Sequence, residues 1–301
     1  MVVQGFTQIY GVDYYNTYSL IAWLASFCLI LTITMHNNWD IEVFDFNSAY
    51  LNRELDTDEE IYMQEPPGYK TGRAGTVKRL LKALYGLKQA RQKWYDMLHA
   101  MATNLGFRVT KADPRVFIAH IQEDVLILAV HVNDCVMTGN LPKLILLYKE
   151  RLHAQYALTD LGPVSWLLSI QVTCDRKTRT ILLSQEAYIK AIIAHFSLAD
   201  TKAYSMPMVP FTQYSKHDSL VSATNAACMR NVPYREAIGS LMYTSIATCP
   251  DITFAVSTLS QFLENLREAH WEAVKQVFCY LLGTRDVVLT YRGEQHDLLV
   301  H

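Results

Sequence analysis

The 301-residue chain has no surplus of charge: 27 basic residues against 29 acidic ones leave it at −2. Bulk charge therefore gives no support to a polyanionic partner, and only its distribution can do so. Charged residues are scarce, 19% of the chain against 50% hydrophobic. An ordinary soluble domain carries about a quarter, so this apolar composition excludes intrinsic disorder. The six cysteines show no metal-finger spacing, and a chain this long and apolar needs no disulfide scaffold. We read them as reduced thiols of an intracellular protein, in the cytoplasm or the nucleus. The lack of an Asn-x-Ser/Thr sequon, and of a basic segment leading into an apolar one at the N-terminus, agrees with that placement. Gly-x-Gly-x-x-Gly, the P-loop, Gly-x-Ser-x-Gly, His-Glu-x-x-His and Asp-Thr/Ser-Gly are all missing. Their absence removes the common signatures of dinucleotide enzymes, P-loop NTPases, hydrolases and zinc or aspartic proteases.

The length suits one large domain or two smaller ones. The longest apolar run, Tyr18 to Met35, carries no charge but includes Ser19, Ser26, Thr32 and Thr34 and has no basic flank. It predicts a buried helix, not a membrane span. Trp39 to Leu51 predicts a strand ending near Asp45. An acidic stretch follows, with Glu54, Asp56, Asp58, Glu59, Glu60 and Glu65, and then the sign reverses. Lys70, Arg73, Lys78, Arg79, Lys82, Lys88, Arg91 and Lys93 fall in a segment without one acid, interleaved with Tyr69, Tyr85, Trp94 and Tyr95. Such a segment suits either a phosphate-binding surface or a solvated helix face. Val125–Val132 and Cys135–Gly139 predict a buried hairpin with Asn133 and Asp134 at its tip. A carboxylate in apolar surroundings needs a partner, and either a metal ion or a plain Asx turn supplies one. Helices are expected over 144–156, ending at Leu161-Gly162, and over 185–197, 234–266 and 270–283. Strands are expected over 166–172 and 180–184, and residues 206–233, with Pro207, Pro210 and Pro233, form a linker. His270, opening a helix, is expected to cap or pack.

These segments match in order the reverse transcriptase of copia-type LTR retrotransposons. Gly5-Phe6-Thr7-Gln8 with Gly11-Val12-Asp13-Tyr14 resembles the family's opening block, and Asp45 to Asn52 its first catalytic motif. Tyr62 to Tyr69, Leu84-Tyr85-Gly86-Leu87-Lys88-Gln89-Ala90 with Trp94-Tyr95, Ala112-Asp113-Pro114 and Asp160-Leu161-Gly162 match further signatures. So do Gly239 to Tyr243, Pro250-Asp251-Ile252 and Gly283-Thr284-Arg285. The resemblance implies an α+β fold, the right-handed fingers–palm–thumb polymerase. It places fingers and palm over 1–175, the palm's end and the start of the thumb over 176–205, and thumb and connection over 234–301. The family's RNase H domain is expected beyond His301, and a basic Lys-Ala-Arg-Leu-Val block is expected where this chain begins Met1-Val2-Val3-Gln4.

The implied chemistry is RNA-directed DNA polymerisation: two Mg²⁺ ions assist attack of a primer 3′-hydroxyl on a deoxynucleoside triphosphate. By resemblance, Asp45, Asp134 and the Phe46 backbone carbonyl bind metal. Tyr50, Tyr85, Gly86 and Lys88 meet the nucleotide, with the Tyr50 ring under the sugar. Lys78, Arg79, Lys82, Arg91 and Lys93 contact the template-primer, and 166–172 grips the primer end. Several positions depart from the pattern. The family's Tyr-Val-Asp-Asp is here His131-Val132-Asn133-Asp134, so an amide replaces a metal-binding acid. Trp23, Cys28, Cys249 and Leu282 stand where the family carries basic residues, Arg91 replaces a proline and Ser169 a glycine. The expectation is a polymerase with weak activity or none. The alternatives are a nucleic-acid-binding remnant without catalysis, or a transposon relic without function.

Overall fold

The computed structural model describes residues 2–17, 22–55, 59–65, 77–209, 231–264 and 266–293, together with Gly68, Thr212, Tyr214 and Met229. Tyr18 to Ile21, Asp56, Asp58, Tyr69, Lys70, Arg73, Cys228 and most of the 206–233 linker lie outside the described residues. The chain divides into two compact units, Met1–Val164 and Ser165–His301. This is a boundary of packing, set independently of any division into polymerase subdomains.

The first unit is built on a six-stranded antiparallel sheet. Its strands are β1 (Asp40–Phe46), β4 (Arg108–Val109), β5 (Val116–Ile121), β6 (Asp124–His131), β7 (Asp134–Gly139) and β8 (Leu158–Pro163), in the order β4-β5-β6-β7-β1-β8. A small β2–β3 ribbon (Tyr62–Gln64, Val77–Arg79) stands apart from it. Strand alternation sends successive side chains to opposite faces. On one face Phe44, Phe46, Cys135 and Met137 are buried with α2 (Ala90–Asn104) and α3 (Pro142–His153), through Trp94, Leu98, Met101, Ile145 and Leu152. The other face carries Ile41, Val43 and Thr138 and meets α1 (Leu24–His36), whose Thr34 hydroxyl lies 3.1 Å from that of Thr138. From Leu24 the apolar run forms a helix that buries one side, through Phe27, Ile30, Leu31 and Met35, while Leu29 stays exposed, and no helix among the described residues is long and apolar enough to cross a membrane.

Two details of this unit differ from the sequence expectation, and in the second unit 166–172 is a hairpin turning at Leu168-Ser169 instead of one strand, and 234–266 is two helices broken between Ala247 and Thr253. The hairpin turn is Val132-Asn133, not Asn133-Asp134; Asp134 is the first residue of β7 and pairs with His131. Leu161-Gly162 does not close α3, which ends at His153, but lies within β8 beside a register shift at Val43/Phe44. Gly162 serves that irregularity with φ of 71°.

In the second unit, β9 (Trp166–Leu167), β10 (Ile170–Asp175), β11 (Thr180–Ser184) and β12 (Leu289–Arg292) form a sheet in the order β12-β11-β10-β9. The β9–β10 turn takes positive φ at both Leu168 and Ser169, the backbone for which glycine is the natural residue. Helices α4 (Glu186–His195), α5 (Tyr234–Ala247), α6 (Thr253–Ser260) and α7 (Glu268–Thr284) share a core including Ile189, Leu241, Leu259, Val274 and Phe278. His270 is buried and does pack and cap: its ring stacks on Phe262 at 3.9 Å, and its Nδ1 accepts the Arg267 amide at 3.3 Å.

Candidate active site

Asp45 and Asp134 lie directly opposite one another in the β1–β7 register. Strand β1 ends in the aromatic pair Phe44 and Phe46, whose burial fixes its pleat and turns Asp45 to the opposite face. The hairpin delivers Asp134 to the same level. Its turn is joined to β1 twice: the Phe46 amide donates to the Asn133 carbonyl at 3.1 Å, and the Asn133 side-chain amide donates to Asp45 Oδ1. Burial raises the pKa of Asp45; the Asn133 hydrogen bond works against that rise, and the charge of Asp134 adds to it. Burial also raises Asp134, which the nearby His131 partly offsets. His131 itself is held below the usual imidazole range by its own burial.

Two desolvated carboxylates facing one another offer hard anionic oxygens, and a divalent ion of the Mg²⁺ type takes such donors. The pair fits one such ion, while Phe46, whose carbonyl the resemblance adds to the set, is fully buried. Asn133 does not extend the anionic set. It presents an N–H to Asp45 and so occupies one oxygen of that carboxylate. Among the described residues no group of three or more His, Cys, Asp or Glu side chains is clustered to hold a metal.

Tyr85 lies near Asp45, and Tyr50, itself buried, packs against Tyr85. Their rings meet edge to face at 4.6 Å, and burial, then the proximity of Tyr50 and Asp45, raises the Tyr85 hydroxyl above its ordinary range. Gly86 is placed by a backbone approach: with φ of 101°, a Cβ there would lie 1.9 Å from the Val3 carbonyl oxygen. Lys88 is turned to the N-terminal segment, its ammonium donating to the Gln8 carbonyl at 3.2 Å and the Tyr14 hydroxyl at 3.1 Å. The Gln8 side chain in turn accepts the Lys88 amide at 2.8 Å. Two signature blocks some eighty residues apart are therefore one interlocked piece.

The basic segment is partly neutralised by the acidic stretch before it. Lys78 pairs with Glu65 at 3.0 Å, Arg79 with Glu60 at 3.7 Å and Lys93 with Glu59 at 3.1 Å. Lys82 is exposed, and Arg91 is exposed in the first turn of α2, a position that also suits the proline it replaces. Trp94 is no part of an aromatic surface; it is 1% exposed.

Sequence reasoning missed three supports of the site. Asp113 is buried, and its Oδ2 accepts the Trp23 amide at 3.0 Å and the Ser26 hydroxyl at 2.6 Å, tying the start of α1 to the sheet. Lys149, buried on α3, holds Glu42 of β1 at 2.5 Å and also Asp160 of β8. Trp94 supports the hairpin turn. The Ala-Asp-Pro and Asp-Leu-Gly motifs were visible signals for the first two, but neither names its partner.

Comparisons with known proteins give the family of the chain. A protein-family model described as reverse transcriptase (RNA-dependent DNA polymerase) matches residues 1–210. The chain is 35% identical over 295 residues to a retrovirus-related Pol polyprotein from transposon TNT 1-94 of Nicotiana tabacum, an alignment covering 97% of this chain and 22% of that protein. It is 33% identical to the corresponding polyprotein from transposon RE1 of Arabidopsis thaliana, over 94% of this chain and 19% of that one. A transposon Ty5-1 protein of Saccharomyces cerevisiae is 29% identical over 85% of this chain and 81% of its own length. The chain thus spans about a fifth of the two plant polyproteins.

Proposed function

The chain belongs to the reverse transcriptase family, as that region of a copia-type retrotransposon Pol polyprotein, and on that premise we propose an RNA-directed DNA polymerase whose nucleotidyl transfer is crippled at Asn133. The observation that carries the reading is the facing pair Asp45 and Asp134, with the Asn133 amide donating to Asp45. In the proposed architecture residues 1–175 supply fingers and palm, and residues 234–301 supply thumb and connection. The substrates are a template-primer and deoxynucleoside triphosphates.

In the reaction the primer 3′-hydroxyl attacks the α-phosphorus of the nucleotide, and pyrophosphate leaves. Mg²⁺, when held by Asp45, Asp134 and the Phe46 carbonyl, supplies positive charge at the attacking and leaving oxygens. The chain's own part is positioning. Asp45 and Asp134 hold their oxygens at one level of the sheet, and the Tyr50 ring, packed against Tyr85, forms the floor for the deoxyribose. Asn133 contributes no charge. A unit-charge pair at 4 Å is worth about 4 kcal/mol at an effective dielectric near 20, and each ~1.4 kcal/mol is tenfold in rate. That is about a thousandfold unscreened; with solvent and substrate phosphates screening part of it, the expected deficit is about a hundredfold or more.

Primer extension on an RNA template, with Mg²⁺ and then Mn²⁺, tests this. Asn133→Asp should raise extension about a hundredfold over the native chain, and adding Asp45→Asn should abolish it. Native extension equal to that of Asn133→Asp would sink the claim of a crippled site. The hydrogen bond that satisfies Asp45 without a metal favours a second reading, a template-primer-binding protein without catalysis. Retained binding with no extension in any variant would establish that reading instead.

A further inference from the structure

Trp94 lies beneath the sheet, on the face opposite the two carboxylates, and touches both elements that bring them together. Its indole N–H donates to the Val132 carbonyl at 2.5 Å, and its ring meets Phe46 edge to face at 5.2 Å. Phe46 directly follows Asp45; Val132 begins the turn that carries Asn133 and Asp134. Val132 needs such support. Its φ is 62°, a conformation that crowds the Cβ of any L-residue and is a true outlier for a β-branched one. Strained backbone of this kind persists only when its surroundings over-determine it.

We propose that Trp94 is a positioning residue for nucleotidyl transfer, a single buried indole that locks the strained turn of the β6–β7 hairpin against the end of β1 and so fixes the spacing of Asp45 and Asp134. The inference rests on the polymerase reading for its catalytic consequence, though not for its structural one. Packing alone would not require the N–H. Phenylalanine retains much of the ring and removes the donor, which leaves the part-buried Val132 carbonyl without its indole partner, a loss large enough for about a tenfold change in a local equilibrium.

Two measurements on Trp94→Phe test this, with Leu98→Ala as control. Leu98 is buried one turn further along α2, and its truncation weakens the same core without touching the turn. In the chain as it stands, amide hydrogen exchange at Phe46, which donates to Asn133, is compared with that at Val164, which donates to Ile41 near the other end of β1. Trp94→Phe should speed Phe46 about tenfold relative to Val164; Leu98→Ala should move both together. An unchanged ratio in Trp94→Phe overturns the proposal. In the Asn133→Asp background, Trp94→Phe should lower kcat about tenfold with the nucleotide KM within about twofold, as expected for lost alignment. Unchanged kcat, or an equal fall in Leu98→Ala below both melting temperatures, likewise overturns it. If Asn133→Asp fails to extend at all, the polymerase reading falls, and the exchange ratio still decides whether Trp94 holds the turn.

Discussion

The amide at position 133 does more than withhold a charge. In the native chain the Asn133 side chain donates to Asp45, so the carboxylate pair is partly satisfied without a cation. Asn133→Asp removes that donor and sets a third negative charge beside the other two. In chelator the variant should be less stable than the native chain by about 1–3 kcal/mol, and added Mg²⁺ should restore it by binding the folded state alone. Thermal melts with and without the ion check this, and equal responses of the two proteins to Mg²⁺ would refute it. Asp134 makes a second case. Its pKa is raised, so its contribution to stability is full below the ordinary aspartate value of 3.8 and is lost as pH rises through the raised one. Asp134→Asn should therefore raise Tm at pH 7, with the gain shrinking as pH falls toward that value. Such a residue is legible in sequence as a charge in an apolar run. Its level in the sheet was not legible, because the difference between a turn at Val132-Asn133 and one at Asn133-Asp134 is a single residue of register that side-chain pattern alone does not resolve.

At the scale of elements, β1, next to the sheet's edge strand β8, is held from behind by an ion triad. Lys149 joins Glu42 of β1 to Asp160 of β8. Burial works to raise Asp160, but its hydrogen bonds to Lys149 and the Gly162 amide, with the Lys149 charge, hold it below the usual range. Lys149→Met leaves both acids uncompensated. Since Asp160 keeps half its side chain in water, the cost should be about 2–3 kcal/mol, less than for a fully buried pair. Adding Glu42→Gln and Asp160→Asn should recover most of it; a triple variant no more stable than the single one in urea would contradict this account. The strands and amphipathic helices of this region were readable from period and composition. The triad was not, since Glu42, Lys149 and Asp160 are scattered along the chain and each reads as an ordinary surface charge until the fold buries the lysine.

Over the whole molecule, the near-zero net charge conceals a local separation. Cations from Lys78 to Lys93 face acids from Glu59 to Glu65, and three ion pairs already join them. Template-primer binding through this segment must compete with those pairs. Reversing Lys78, Arg79 and Lys82 together should weaken binding about tenfold or more and flatten the salt dependence by about three units of slope. Unchanged binding would remove this segment from the nucleic-acid surface. The sequence displayed the charge reversal plainly, but not that its two halves lie close enough to pair.

The strand order also governs how the chain is made. Asp45 and Asp134 are some ninety residues apart, and β1 must be inserted between β7 and β8, both synthesised long after it. Until it docks, β7 presents an open, apolar edge, the kind of edge that recruits a strand from another molecule. Pairing at such separation is slow. The facing carboxylates are therefore among the last features of the first unit to form in each newborn chain, and the same vacant slot makes exchange of β1 between two chains, or aggregation, the characteristic hazard of its biogenesis.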